Sequence, residues 1–439
     1  MTFDVFLARV YQAFTVTTEQ LFITSRLFDR EISEGLANKP SSLAMLPSYL
    51  TKPTGHEQGI FLALDFGGTN VRALLVELKG CGKSTILSRV DSPLIDPDGY
   101  YDYTLPTATA CELFDFLADK LSQLTQPTQE YPLGHAFSFP FRMTDQNNAV
   151  LLYWTKEIAT ADVVGNNIVN LLNDAFARKG ISNIKSSAIL NDSVSALMAA
   201  AYQDNRTDIG SICGTGHNTC YLEPNPPWSS GRSMYINMES GNFNKVPENI
   251  YDRLLDEKSD RPGAYRLEKM CSGRYIGELL RLVMLDLIAN KALLSNSTAY
   301  LDAYSLTGKD LNTLLTDTTP HLESIAQWLN QLGYKNSSLS DRTCLQKIAA
   351  LITRRSARLA ASTYAATLLH IDPELKQPHV IAIDGSLYEK IPGYANTIKE
   401  TLSELLGTRA SKITCELSQH GSGIGAAVAA ATTLSLKRF

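Results

Sequence analysis

The sequence lacks several features that would settle its class at once. Basic charge is not in excess: 40 Lys and Arg stand against 45 Asp and Glu, a formal net charge of −5. That balance argues against nucleic acid or an anionic membrane as the main partner, because both are bound through a basic face. No apolar run approaches the length of a membrane span. The seven cysteines, spread from Cys81 to Cys415, include no CxxC pair; an odd, scattered set suits reduced thiols in a cytoplasm. The sequons that begin at Asn205, Asn296 and Asn336 are then chance matches. Neither HExxH nor a His/Cys cluster occurs among the seven histidines, so no transition metal is expected on the protein itself. The opening MTFDVFLARVYQAF has Asp4 and Arg9 inside its apolar run and no basic leader, so no signal peptide is expected. No segment is of low complexity.

What is there is a chain of 439 residues with 44% hydrophobic content, enough for ordinary packing and too long for one small core; two domains are expected. TTEQLFITSRLFDREISEGL reads as an amphipathic helix bounded by Thr17-Thr18 and a following Asn-Lys-Pro. After a linker, strands dominate from Phe61 to about Val90, and ELFDFLADKLSQL is a helix. VVGNNIVNLLNDAFARKG is predicted as a helix ended by Gly180. SSAIL is a short buried strand and SVSALMAAAYQD the helix after it. A helical block runs from about Pro247 to His370. HVIAIDGSL then restores the strand pattern, and HGSGIGAAVAAATTLSL is a glycine turn entering a small-residue helix. Strands alternating with helices imply an α/β architecture.

The local constellations are informative mainly in combination. FLALDFGGTN is a buried strand whose Gly67-Gly68 turns the chain into the alternating VRALLVEL, and SICGTGHNTCYL repeats the device. Each is either an ordinary hairpin or one half of a polyphosphate clamp, with small residues, a Thr and an Asn at the turn. GCGKST is not a phosphate loop, since that motif needs a glycine where Glu77 stands and must open a helix; it reads as a hairpin turn. Asn191 and Asp192 in ILNDSVSAL fit helix capping first, and otherwise a carboxylate at a strand end that accepts a proton from a substrate hydroxyl. Thr155 and Lys156 beside Trp154, and Glu239 and Glu268 beside glycines, suit either a solvated surface or a binding cleft.

These pieces occur together, nearly end to end, in one family. SSLAMLPSYLTKPTGHEQGIFLALDFGGTNVRALLVEL, FSFPFRM, LLYWTKEI, ILNDSVSALM, GTGHNTCYLE, INMESGNF, RPGAYRLEKMCSGRYIGELLRL and IAIDGSLYEKIPGY come in an order that resembles the hexokinases, including glucokinase, as a single catalytic unit. The resemblance implies a two-domain actin-like ATPase (ribonuclease H-like) α/β fold, with small and large domains around a central cleft. Residues 61–190 plus 425–439 would form the small domain, and 1–60 plus 191–424 the large one.

The implied activity is transfer of the γ-phosphoryl group of MgATP to the 6-hydroxyl of glucose and other hexoses; a sugar sensor with little turnover is the alternative. The implied hexose site comprises Ser138, Thr155, Lys156, Asn191, Asp192, Asn218, Glu239 and Glu268. Asp192 is general base, and Lys156 shares the catalytic role. The phosphate turns would be Asp65, Gly67, Gly68, Thr69 and Asn70 with Gly214, Thr215 and Gly216, while Gly421 and Ser422 lie near the adenosine. Magnesium would come with the ATP, near Asp65 through water and not bound directly by protein. The partners implied are small molecules, without nucleic acid or membrane, and the chain is expected to be a cytoplasmic monomer or weak homodimer. Three positions depart from the family pattern. Ser240 replaces a tryptophan and Met238 a threonine, both beside Glu239, and His420 replaces an acid before the last glycine turn.

Overall fold

The structure is a computed structural model that describes residues 3–68, 70–155, 158–229, 231–294, 300–418 and 421–436. The chain opens with helices α1 (Phe3–Phe14) and α2 (Thr18–Leu36). Thr17 caps α2 by accepting the Gln20 N–H while the Gln20 side chain accepts the Thr17 N–H, which satisfies two donors that a helix start otherwise leaves open. After β1 (Leu46–Pro47) comes an antiparallel meander of β2 (Gln58–Phe66), β3 (Asn70–Gly80) and β4 (Lys83–Pro93). Gly80 to Lys83 is the expected hairpin turn, with Cys81 and Gly82 both at positive φ. Helix α3 (Ala110–Ser122) leads to β5 (Tyr131–Phe137), the small hairpin β6 (Phe141–Asp145) and β7 (Asn148–Leu151), α4 (Ile168–Arg178), β8 (Ile184–Leu190) and α5 (Asp192–Gln203).

The start of α4 corrects the sequence expectation. Asn167 has an extended backbone and its side chain accepts from the N–H groups of Val169 and Asn170, while Gly165 sits at φ +81°. Residues before Asn167 are therefore a turn, because an asparagine cap stops a helix from extending backwards through it.

A second meander follows, β9 (Thr207–Cys213), β10 (His217–Glu223) and β11 (Met234–Asn237). The helical block comprises α6 (Ile250–Glu257), α7 (Arg266–Cys271), α8 (Gly273–Ala289), α9 (Gly308–Thr316), α10 (Glu323–Gln331) and the 33-residue α11 (Leu339–Ile371). The remaining elements are β12 (His379–Asp384), α12 (Ser386–Lys390), α13 (Tyr394–Leu406), β13 (Ile413–Leu417) and α14 (Gly421–Leu436).

The two large sheets share one plan. The first has strand order β4-β3-β2-β5-β8, and the second runs β11-β10-β9-β12-β13, with β1 added at its edge. In each, a three-stranded antiparallel meander is followed by two strands parallel to its first member. The two glycine turns therefore occupy equivalent places, β2–β3 in one sheet and β9–β10 in the other. So do the helices that follow the last parallel strands, α5 and α14, which pack on each other.

Three apolar cores result. The largest joins α1, α2 and the helical block to the second sheet, and another fills the space between the first sheet and α3 and α4. The third gathers Ala63, Ala136, Leu190, Val194 and Leu197 around Ala426 to Ala431 of α14, so the seam between the halves is itself a packed core.

Candidate active site

A cavity of about 910 Å³ opens between the two sheets and is lined from both sides. From the first half come Asp65, Gly67, Gly68, Asn70, Ser138 and Thr155; from the second come Gly214, Thr215, Gly216, Asn218, Glu239 and Glu268. Asn191 and Asp192 at the start of α5 and Ser422 at the start of α14 complete the lining. Thus the sequence-predicted residues converge on one space, with three exceptions. Gly421 begins α14 beside Ser422 and is not part of the lining. Thr69 and Lys156 lie outside the described residues, as does His420.

Each half positions its groups by local chemistry. Asn191 stands at the cap position of α5, yet its side chain makes no capping bond and donates instead to the carbonyl of Phe139 at 3.2 Å. The pair is therefore not spent on ordinary capping by Asn191. Asp192, the first helical residue, accepts the Ser193 N–H at 2.7 Å and faces the cavity.

Glu239 has a left-handed backbone, φ +51° and ψ +48°, a conformation that costs a non-glycine residue energy and persists only where surrounding contacts impose it. Here the Asn237 side chain donates to Glu239 at 2.8 Å. The Asn218 amide donates to Asn237 at 2.9 Å and its oxygen accepts the N–H groups of Thr219 and Ser240. On α7, Glu268 accepts the His217 N–H at 2.9 Å, which ties the second carboxylate to the second glycine turn.

Asp65 is almost wholly buried. It accepts from Ser422 at 2.8 Å and from the Arg72 guanidinium at 3.1 Å. Burial pushes its carboxyl above the usual carboxylate range; Ser422 and Arg72 oppose that, and the charge of Asp192 adds to it. Among the described residues no group of three or more His, Cys, Asp or Glu could hold a metal ion.

Several lining residues were not singled out from sequence: Arg72, Arg274 and the run Asp384-Gly385-Ser386 after β12. The last was visible as a strand end with a glycine. At Gly385, φ is +128° and a Cβ would come within 2.4 Å of the Cys213 carbonyl carbon and oxygen, so β12 and the second glycine turn approach each other there as only glycine permits.

Two family models, both described as hexokinase, match residues 7–202 and 208–432. The chain is 36% identical over 427 residues to Hexokinase-7 of Oryza sativa subsp. japonica, covering 91% of each. The chain belongs to the hexokinase family. Within that family it is also 31% identical to Hexokinase-1 of Schizosaccharomyces pombe, over 96% of this chain and 89% of that one. A solved hexokinase structure superposes with a TM-score of 0.86 at 32% identity, covering 98% of this chain and 99% of that one. The hexokinase from Schistosoma mansoni complexed with glucose gives 0.84 at 27% identity, covering 98% and 100%. This hexokinase accordingly has the two-domain actin-like fold and is a kinase that phosphorylates a sugar hydroxyl. No helix among the described residues is long and apolar enough to cross a membrane.

Proposed function

We propose that the cavity binds a hexose and MgATP together and transfers the γ-phosphoryl group to the sugar 6-hydroxyl. The observation that supports this most strongly is the convergence of Asp192, Asn218, Glu239 and Glu268 with Asp65 and both glycine turns on one cleft. Ser138, Thr155, Lys156, Asn191, Asn218, Glu239 and Glu268 hold the sugar. Gly67, Gly68, Thr69, Asn70, Gly214, Thr215 and Gly216 receive the phosphates, and Gly421 and Ser422 lie toward the adenosine. Magnesium, bound through the nucleotide's phosphates with Asp65 near it, supplies neutralisation of phosphate charge.

Phosphoryl transfer has a loose transition state, so most of the rate comes from alignment and charge stabilisation. A carboxylate is far too weak a base to ionise a sugar hydroxyl in advance. Asp192 orients the hydroxyl and accepts its proton late, as the new bond forms; Lys156 supports the transferred charge. Water is the competing nucleophile. Buried polar groups left unpaired by a wrong ligand cost about 1 to 3 kcal/mol each, and by this means Asn191, Asn218, Glu239 and Glu268 make closure depend on the sugar. The domain division that goes with this mechanism is 61–190 plus 425–439 against 1–60 plus 191–424. Seven free cysteines agree with a cytoplasmic setting, and a monomer or weak homodimer suffices, since one chain carries the whole cleft.

The test is ADP release from MgATP without sugar and then with glucose, mannose or fructose. A hexose that stimulates release by orders of magnitude, with stoichiometric sugar 6-phosphate, is the expected result. Release that ignores sugar while glucose still binds would instead make the chain a sensor. Asp192→Ala is expected to lower kcat roughly 10²- to 10⁴-fold or more while glucose still binds; near-normal turnover in that variant would remove Asp192 from the role.

A further inference from the structure

The chain between β7 and α4 leaves β7 and comes back to it as a closed loop. Its base is pinned where the Gly165 N–H donates to the Leu151 carbonyl at 2.8 Å and the Leu151 N–H to the Asn166 carbonyl at 3.3 Å. The outgoing limb carries Thr155 on the wall of the cavity. A pinned base does not by itself fix the rest of a loop, because each residue between keeps two soft torsions.

The further ties run through Thr160, which is only 2% exposed. Its hydroxyl donates to the Tyr103 carbonyl at 2.6 Å, and its own carbonyl accepts the indole N–H of Trp154 at 2.9 Å. On either side, the Ala159 N–H donates to the Thr104 carbonyl at 2.7 Å and the Ala161 N–H to the Ala108 carbonyl at 2.9 Å. The loop is thus laid along residues 94–109, a strap that connects β4 to α3. The strap is fixed in turn: the Tyr103 N–H donates to the Leu94 carbonyl at 2.9 Å, the Tyr103 ring centre lies 4.8 Å from those of Tyr101 and Phe116, and Thr109 caps α3. All of these bonds run within the first half and none crosses the cleft, so its closure leaves them in place.

What Thr160 holds on the cavity side is Trp154, the residue before Thr155. The Trp154 ring meets Phe139 edge to face, with centres 4.8 Å apart. Phe139 follows Ser138, whose N–H donates to the Phe66 carbonyl at 3.1 Å. The indole is therefore a spacer between Thr155 and Ser138, and its bond to Thr160 sets the tilt of that spacer, since an aromatic contact alone permits several. Thr160 itself is not part of the cavity lining, so its influence on a ligand passes through the loop.

We propose that Thr160 is a positioning residue for the sugar acceptor: its hydroxyl fastens the loop to the strap, its carbonyl orients Trp154, and together they fix Thr155 relative to Ser138. This rests on the hexose reading of the cavity.

The experiment compares the full chain with Thr160→Val, which keeps the shape and removes the hydroxyl, and Thr160→Ser, which keeps the hydroxyl. Glucose Kd is measured by calorimetric titration, and KM for glucose and for MgATP by steady-state kinetics. Thr160→Val is expected to raise the glucose Kd and KM about two- to tenfold, the range for one lost hydrogen bond. The KM for MgATP should stay within about twofold, and Thr160→Ser should return the glucose values to within about twofold of the parent. Trp154→Phe removes the other bond at Thr160 and keeps an aromatic ring; it is expected to weaken glucose as well, and it decides the matter if Thr160→Val does not fold. Unchanged glucose affinity in a folded variant, Thr160→Ser as weak as Thr160→Val, or an equal rise in the KM for MgATP would overturn the positioning role while leaving the hexose site intact. A parent protein in which no hexose binds or stimulates ADP release would overturn both.

Discussion

At Ser240 the side chain is fully buried and its hydroxyl makes no hydrogen bond among the described residues, although it adjoins Glu239 in the acceptor site. An unsatisfied buried hydroxyl is a cost that alanine removes without changing the backbone N–H that donates to Asn218. Ser240→Ala is therefore expected to leave stability unchanged or to raise it by up to about 1 kcal/mol, read from the midpoint of denaturant unfolding. A loss larger than that would mean the hydroxyl has a partner in solution. Residues of this kind also show what a sequence conceals. Asp65, Asn191, Asp192 and Glu239 could be picked out because each sits beside a glycine turn or a strand end of recognisable type. Thr160 and Tyr103 could not: nothing local marks either one, and only the fold brings the hydroxyl of the first to the carbonyl of the second. Asp384 to Ser386 was seen merely as a strand end, because nothing local says that β12 lies against the second glycine turn.

Among the elements, α14 carries the most consequence. It lies across the first sheet and against α5, and the approach is so close that side chains are excluded on both sides. A Cβ at Gly134 of β5 would fall 1.8 Å from the Ala426 carbonyl oxygen, and one at Gly425 would fall 1.8 Å from that of Ser195. Both obstacles are backbone, which cannot swing away. Gly134→Ala is expected to destabilise the fold by at least about 2 kcal/mol; calorimetric melting of the variant measures this, and an unchanged melt would mean that helix and sheet separate easily. The hairpins around Gly67 and Gly82 and the small-residue helix itself were legible from glycine placement and apolar run length. The start of α4 was not, because the apolar periodicity continues backwards past Asn167 and hides the cap. Nor was the shared order of the two sheets, which depends on strands such as β12 and β9 pairing across a long intervening helical block.

Over the whole molecule the two repeats of one sheet plan face each other across a polar cleft and are joined by an apolar seam. Such an arrangement supports rotation of one half against the other, since polar walls separate at little cost while the seam stays packed. Small-angle scattering should accordingly show a smaller radius of gyration when saturating glucose is added; identical profiles with and without bound sugar would count against closure. The seam has another consequence, set by the order of synthesis. Helix α14 is made after every strand that it covers. While translation proceeds, β2, β5 and β8 have the partners they need for pairing, but the apolar face around Ala63, Ala136 and Leu190 waits for residues 421–436 to leave the ribosome. The first half is thus sealed late: until α14 forms, the nascent chain carries an exposed sticky face, whereas the core joining the second sheet to the helical block takes no residue from that helix.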